Sequence, residues 1–345
     1  MLKKSLIFSL CVAIFLFSGC TDKVKNPTKT NSGNSTKVSS NSKNDAESKK
    51  LNPLTGLYDL DEGKQDDRPV AVMINNLSIA QKVQTGLKDA DIIYETEVEG
   101  GITRLMALYQ DISKVDQIGT VRSARYAYVD LAMGHNAFYI HCGTDMTYCK
   151  PHLDDVDSVW IDGGTCGGKR ISNGLAKEHT LYALGSEVWS GLKEKGFTIK
   201  NSSTTLWQNF TAKNETVIPS GDAANNVTVT FSNSYKTQFT YDSSTQRYVV
   251  DSRKDYNTGE AVTVKNVFVL STTITSYPDG YHKKVALESG NGYYISNGKA
   301  MPISWSKGDS DNSFTFTDED GNQLKVNAGN SWVCIANKNY APSIK

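Results

Sequence analysis

An α/β segment followed by an all-β antiparallel sandwich or barrel is the architecture this 345-residue sequence predicts, and three patterns carry that expectation. From Leu51 to about Trp189, short apolar runs alternate with stretches of helical spacing. From Asn226 onward the spacing becomes strand-like alternation. Turn formers such as Asp242-Ser-Ser, Pro278-Asp-Gly, Ser296-Asn-Gly and Glu319-Asp-Gly-Asn punctuate that second half, with no convincing helix among them. The expected units are residues 51–208 for the α/β domain, 209–225 for a linker, 226–337 for the β domain and 338–345 for a tail.

Within the first domain, residues 68–75 form a continuous apolar run ending in Asn75-Asn76, as expected of a strand buried on both faces. Residues 90–99 and 103–109 predict two more strands, separated by Gly100-Gly101. Residues 123–135 predict a helix, with Ser123 as its cap and Tyr126, Val129 and Met133 on one face. A second helix is expected over 181–195, stopped by Gly196. Pro219-Ser-Gly221 excludes a helix from the linker. Strands are then expected at 227–231, 239–241, 248–250, 262–270, 293–295, 314–316 and 332–335.

The amino terminus carries a different message. Lys3 and Lys4 precede an apolar stretch at 6–17, and Ser18-Gly19 puts small residues before Cys20. A spanning helix needs about 20 apolar residues, and this run is shorter. Residues 1–19 therefore read as a lipoprotein signal peptide and Cys20 as the site of diacylglyceryl and palmitoyl attachment. In the lipobox this end resembles, Leu is most common where Phe17 stands. Residues 21–50 hold fifteen Ser, Thr and Asn, seven Lys and no aromatic residue, too little apolar surface to offset the entropy of ordering. Residues 20–50 thus read as a tether with a root-mean-square reach of about 30 Å. Its net charge of +4 favours contact with anionic lipid or wall polymer, or simply keeps it soluble. The expected location is the cell membrane, lipid-anchored, on the extracytoplasmic face.

Beyond the tether, 28 basic residues face 34 acidic ones, a net −6 that excludes the basic footprint of a nucleic-acid binder. Neither a phosphate-cradling G-x-x-x-x-G-K-[ST] loop nor an H-E-x-x-H zinc motif occurs. No metal or cofactor is expected.

The residues with the strongest claim to chemistry are Arg104, Arg122 and Arg125, with Glu95 and Glu99. On a strand, Glu95, Glu97 and Glu99 share one side and repel unless faced by cations or water. Arg122 and Arg125 flank the expected helix start, where the dipole disfavours cations by about 0.3–1 kcal/mol each. An anion bound there, phosphate or carboxylate, accounts for them. A structural network with Glu95, Glu97 and Glu99 accounts for them equally.

Four cysteines remain after processing, Cys142, Cys149, Cys166 and Cys334. An oxidising location permits a bridge among Cys142, Cys149 and Cys166. Cys142-x6-Cys149-x2-His152 lacks the usual structural-zinc spacing. Cys166, set among glycines with Lys169, Arg170 and His179 nearby, is a candidate nucleophile if one of those groups activates it. The acidic stretches at 154–157, 309–311 and 318–321 lack the full calcium loop. Tyr126, Tyr128, Tyr293 and Tyr294 either pack or stack on sugar rings.

Several long motifs resemble the YerB-like bacterial lipoproteins. They are Asn52-Pro-Leu-Thr-Gly56, Arg68-Pro-Val-Ala-Val-Met-Ile-Asn-Asn76, Gly86-Leu-x-Asp-Ala-Asp91, Tyr94-Glu95, Val98-Glu-Gly-Gly-Ile-Thr-Arg104 and Ile118-Gly-Thr-Val-Arg-Ser-Ala-Arg125. Val264-Lys-Asn-Val267, Gly298-Lys and Gly329-x-x-Trp332 are similar to that family's β-rich second domain. The resemblance runs from about 52 to 337 and implies location and a two-domain plan without naming a reaction. Residues 142–168 are less alike, and Glu178-His179-Thr180-Leu-Tyr182 matches the family's His-containing loop. The reading that results is a non-catalytic binding or scaffolding lipoprotein of the cell envelope, with cell-wall polymer or an envelope protein as partner. The alternative is an enzyme acting on wall polymers or their lipid-linked precursors.

Overall fold

The computed structural model describes residues 49–345; the signal segment, Cys20 and nearly all of the tether lie outside the described residues. After a short antiparallel pairing of Lys50–Leu51 with Tyr58–Leu60 come three fully buried strands, β1 (Val70–Asn75), β2 (Ile92–Glu97) and β3 (Thr103–Tyr109). β3 runs antiparallel to both neighbours, pairing Asn75 with Arg104 and Glu97 with Thr103. Gly100 and Gly101, at φ +60 and +76, make the β2–β3 turn in a region that side chains disfavour. Helix α1 (Tyr126–Met133) follows, then β4 (Phe138–His141) and β5 (Ser158–Trp160), which extend the sheet in parallel from β1. Helix α2 spans Gly185–Glu194 and stops before Gly196, at φ +79.

Both helices are shorter than the sequence predicts, for one reason. Residues 121–124 are drawn into extended pairing: Arg122 N–H donates to Met73 and Ala124 N–H to Gly143. The helix therefore begins at Tyr126 with Arg125 as its N-cap and no side-chain cap, so Ser123 does not cap it. Likewise Leu181–Ala183 pairs as a strand with Gly168–Arg170 before α2 starts.

The second half begins as a meander of β6 (Asn226–Ser232), β7 (Tyr235–Asp242), β8 (Arg247–Lys254) and β9 (Ala261–Val264), antiparallel throughout. The stretch expected as one strand, 262–270, is two. The chain passes at Lys265 from β9 into β10 (Asn266–Thr272), which belongs to the other sheet. There β10 pairs with β11 (Ser289–Ser296), and β11 with β12 (Lys299–Ser306). Asn297 and Gly298, both at positive φ, turn the β11–β12 hairpin, as Asn-Gly pairs do.

The decisive strand is β13 (Ser331–Asn337). It lies between β10 and β2 and runs parallel to both, setting Cys334 beside Val269 on one side and Glu95 on the other. One eleven-stranded sheet thus runs through both halves of the chain. The expected purely antiparallel second domain is corrected by this parallel seam, and the sheets do not close, so no barrel forms. Among the described residues strands hold 41% and helices 11%, so strands dominate where an α/β first domain is expected. Residues 209–225 are not loose: Asn209–Phe210 pairs with Lys325–Val326, and Asp222–Ala223 with β12. The expected tail contributes Ser343–Ile344 as an edge strand on β6.

Strand alternation divides the core between the two faces of the large sheet. Val267 and Val269 of β10 face the five-stranded meander sheet, packed with Val229, Phe239 and Val250. Phe268 and Leu270 face the other way, onto Trp207, Phe316 and the side of α1. Each such side chain removed from water contributes about 1.5–3 kcal/mol, so both faces hold the seam together.

Candidate functional site

β1, β2, β4 and β5 run in one direction, so their carboxyl ends, at Asn75, Glu97, His141 and Trp160, share an edge of the sheet with the start of β3 at Thr103-Arg104. In open sheets ligands bind outside such ends. The stretch 121–125 is stitched across this edge: Val121 bridges Ile74, and the Arg122 carbonyl accepts the Cys142 N–H. Arg104, Arg122 and Arg125 therefore lie near one another.

Their partners differ from the expected carboxylate row. β2 ends at Glu97, and a turn closed by Val98 N–H to Ile102 lifts Glu99 out of the strand's register. Glu99 alone serves the arginines. It takes Arg125 through a two-pronged contact, Nε to Oε2 at 2.7 Å and Nη2 to Oε1 at 2.6 Å, and Arg104 Nη2 at 2.5 Å. Arg104 and Arg125 also donate to the carbonyls of Ser123 and Ala124. Burial, reinforced by Arg125, pulls the Arg104 guanidinium down to about 10, so it stays charged at neutral pH.

Arg122 is different. Half-buried, its guanidinium makes no hydrogen bond or ion pair with a described residue. Burial lowers its pKa, while the neighbouring Glu178 opposes the shift. His179 shares the corner, its Nδ1 2.8 Å from the Asn75 side-chain amide, and burial and Arg122 both lower its pKa. Glu99 is thus fully engaged by Arg104 and Arg125, while Glu178 acts on Arg122 without an ion pair or hydrogen bond to it. The buried hydroxyl of Thr120 finds no hydrogen-bond partner among the described residues, and Tyr139 lies beside Arg104 and Arg125.

Glu95 does not join the arginine corner; this part of the expectation is corrected. Its side chain points between the two sheets. There it accepts hydrogen bonds from Asn76 (3.0 Å), Thr103 (2.8 Å), Thr237 (3.0 Å) and the Trp332 indole N–H (3.0 Å). The nearest cation is Arg253, held by Asp251 at 2.9 Å and by the Asn76 side-chain oxygen at 2.7 Å. Burial pushes the Glu95 carboxyl up from its ordinary value, against the pull of Arg253. Glu97 in turn pairs with Lys283 at 3.2 Å.

Lys283 belongs to a hairpin of the second half, Ile274–Ser276 with Lys283–Val285, which reaches over the first. His282 of this hairpin bridges the backbone of Glu99, and Tyr277 stacks on Tyr148 at 3.9 Å between centroids. Arg253, Lys283 and Thr237 carry no local sequence signal; only the seam brings them to the site.

The thiols also differ from expectation. Cys142, Cys149 and Cys166, expected to form a bridge, are free, as is Cys334. Cys142 ends β4 beside Arg122, whereas Cys166 lies against Val188 and Gly191 of α2. Burial raises the Cys166 thiol, and its charged neighbours are Lys195 and Glu194 rather than His179. Arg170 is held by Asp162 at 2.8 Å. Among the described residues no group of three or more His, Cys, Asp or Glu side chains is placed to hold a metal ion. Asp318 caps its own turn, accepting the N–H groups of Asp320 and Asn322.

Comparison with known proteins matches residues 54–198 to the N-terminal domain and residues 227–333 to the C-terminal domain of a family described as a protein of unknown function, DUF3048. A Bacillus subtilis (strain 168) protein named "Putative lipoprotein YerB" is 28% identical over 349 residues, covering 98% of this chain and 96% of that protein. The crystal structure of the B. subtilis YerB protein superposes with a TM-score of 0.71 at 25% identity, over 84% of this chain and 98% of that one. With both domains matched in order and a YerB relative aligned almost end to end, the chain belongs to the DUF3048 family.

Proposed function

We propose that this protein is a membrane-anchored, extracytoplasmic binding lipoprotein of the bacterial envelope, non-catalytic, which docks an anionic group of a cell-wall polymer on Arg122 beside Arg104 and Arg125. The anchor reading rests on the Ser18-Gly19-Cys20 sequence, on the polar +4 tether and on the relative whose name calls it a lipoprotein. No helix among the described residues is long and apolar enough to cross a membrane.

The binding reading rests on a single observation: Arg122 is half-buried and its guanidinium has no hydrogen-bond or ion-pair partner among the described residues, while its two neighbours are held in place by Glu99. A guanidinium fork next to fixed positive charge suits phosphate or carboxylate oxygens. Catalysis through Cys166 has no such support, because no base faces the sulfur. Arg122→Ala is expected to lower the affinity for purified anionic wall polymer about tenfold, the equivalent of one lost charge-assisted bond, with stability changed by less than about 0.5 kcal/mol. Unchanged binding together with a lowered melting temperature would make Arg122 a structural residue and end the proposal.

A further inference from the structure

His179 closes the turn Lys177–His179, just before the strand Leu181–Ala183, and is 5% exposed where that turn meets the carboxyl end of β1. One side of its ring is fully determined. The Leu77 N–H donates to the Asn75 side-chain oxygen at 3.2 Å, which turns the Asn75 amide N–H toward His179 Nδ1 at 2.8 Å. Nδ1 is therefore the acceptor, and the proton sits on Nε2. Burial and the charge of Arg122 lower the ring's pKa against the pull of Glu178, so near neutral pH it is an uncharged Nε2–H donor.

That donor has no acceptor among the described residues. Glu178 Oε1 stands 3.7 Å from Nε2, outside hydrogen-bond reach, on a side chain 61% exposed. The same carboxylate is the leading attraction on Arg122, again without an ion pair. A guanidinium and a buried ring N–H thus both lie next to Glu178, and neither is bonded to it. We infer that His179 Nε2–H is the second contact of the anion held at Arg122, and that the pair takes a singly charged oxyanion, a phosphodiester or a carboxylate, in preference to a doubly charged phosphate monoester. This rests on the Arg122 reading proposed above.

Charge selects the ligand. Arg104, Arg122 and Arg125 face the carboxylates of Glu99 and Glu178, which leaves one net positive charge at the corner. The His179 ring adds a hydrogen bond without adding charge. Burial raises the Cys142 thiol beside Arg122, so it too stays neutral, and the neighbouring Arg170 and Asp162 cancel each other as an ion pair. A monoanion completes the balance. A second negative charge would stand against Glu178 with no cation left to meet it, and leaving a charge desolvated and unpaired costs more than one further hydrogen bond returns.

The test is a titration of the full-length protein in detergent with dimethyl phosphate, acetate and methyl phosphate, slightly above neutral pH, where the monoester carries nearly two charges. The ring-nitrogen and N–H resonances of isotope-labelled histidine are followed. The His179 signal, identified by its loss in His179→Ala, is expected as the Nε2–H tautomer and should shift saturably with dimethyl phosphate or acetate, at an affinity at least about threefold above that for methyl phosphate. Whichever of the two binds more tightly identifies the source. His179→Ala should weaken that ligand about tenfold, the equivalent of one hydrogen bond, and His179→Gln, whose amide N–H reaches the place of Nε2–H, should recover most of the loss. Glu178→Gln, at an exposed position, should strengthen methyl phosphate most and so narrow the preference. A His179 signal that does not move up to about 10 mM ligand, an Nδ1–H tautomer, or a wild-type preference for methyl phosphate overturns the inference. Binding lost in Arg122→Ala but unchanged in both His179 variants overturns it too, while leaving the Arg122 reading intact; binding unchanged in Arg122→Ala ends both.

Discussion

Two carboxylates four residues apart, Glu95 and Glu99, occupy opposite electrostatic worlds. Glu95 is sealed between sheets and held by neutral donors from both halves of the chain, Thr103 and Asn76 from the first and Thr237 and Trp332 from the second. Glu99 stands at a strand-end corner, where it holds two arginines and makes no ion pair with the third. Like residues from one sequence run thus divide their labour: one fastens the two halves together, and the other fixes two arginines beside a third.

Breaking that contrast starts at the seam. Glu95→Ala orphans four buried donors and opens a cavity, and is expected to lower unfolding free energy by about 5 kcal/mol in denaturant titration. A loss below about 1 kcal/mol would show that the seam does not depend on this carboxyl. Glu99→Gln comes next, at about 3 kcal/mol, because Arg104 and Arg125 lose their counter-charge. The same variant should bind inorganic phosphate more tightly than wild type, since a competing carboxylate has gone; weaker binding would place the anion elsewhere.

The smallest effect is a pH dependence. The Glu95 carboxyl is raised above its ordinary 4.5, so the fold prefers it protonated. Its contribution is full below the unfolded value and declines as pH rises through the folded value. Wild type should therefore lose ground to Glu95→Gln as pH increases, visible as a narrowing or reversing gap between melting temperatures. A gap that widens with pH would mean that the hydrogen bonds hold Glu95 ionised, and it would reverse the assignment.

Much of this was legible in residues 68–109, where buried runs and paired glycines mark strands that need no distant information. The meander from Asn226 was legible for the same reason, through alternation and turn chemistry. The sheet fusion was not. Pairing of Ile92–Glu97 with 331–335 joins segments more than two hundred residues apart, and parallel pairing leaves no hairpin signal between them. The arginine cluster was foreseen from its crowding near one expected helix start, although Ser123 turned out to belong to an extended stitch instead of a cap. Glu95 was misassigned because period-two reasoning places it beside Glu99 but is silent about a turn at Val98.

The seam strand also sets an order on biosynthesis. During translation β1 to β5 emerge early, yet the flank of β2 stays an open edge until residues 331–337 leave the ribosome, more than two hundred residues later. Open flanks are templates for wrong partners, and pairings this remote in sequence form slowly. A nascent chain of this design closes its large sheet only once Ser331–Asn337 has emerged, so premature termination anywhere before Ser331 leaves an exposed, adhesive half-sheet rather than a smaller working domain.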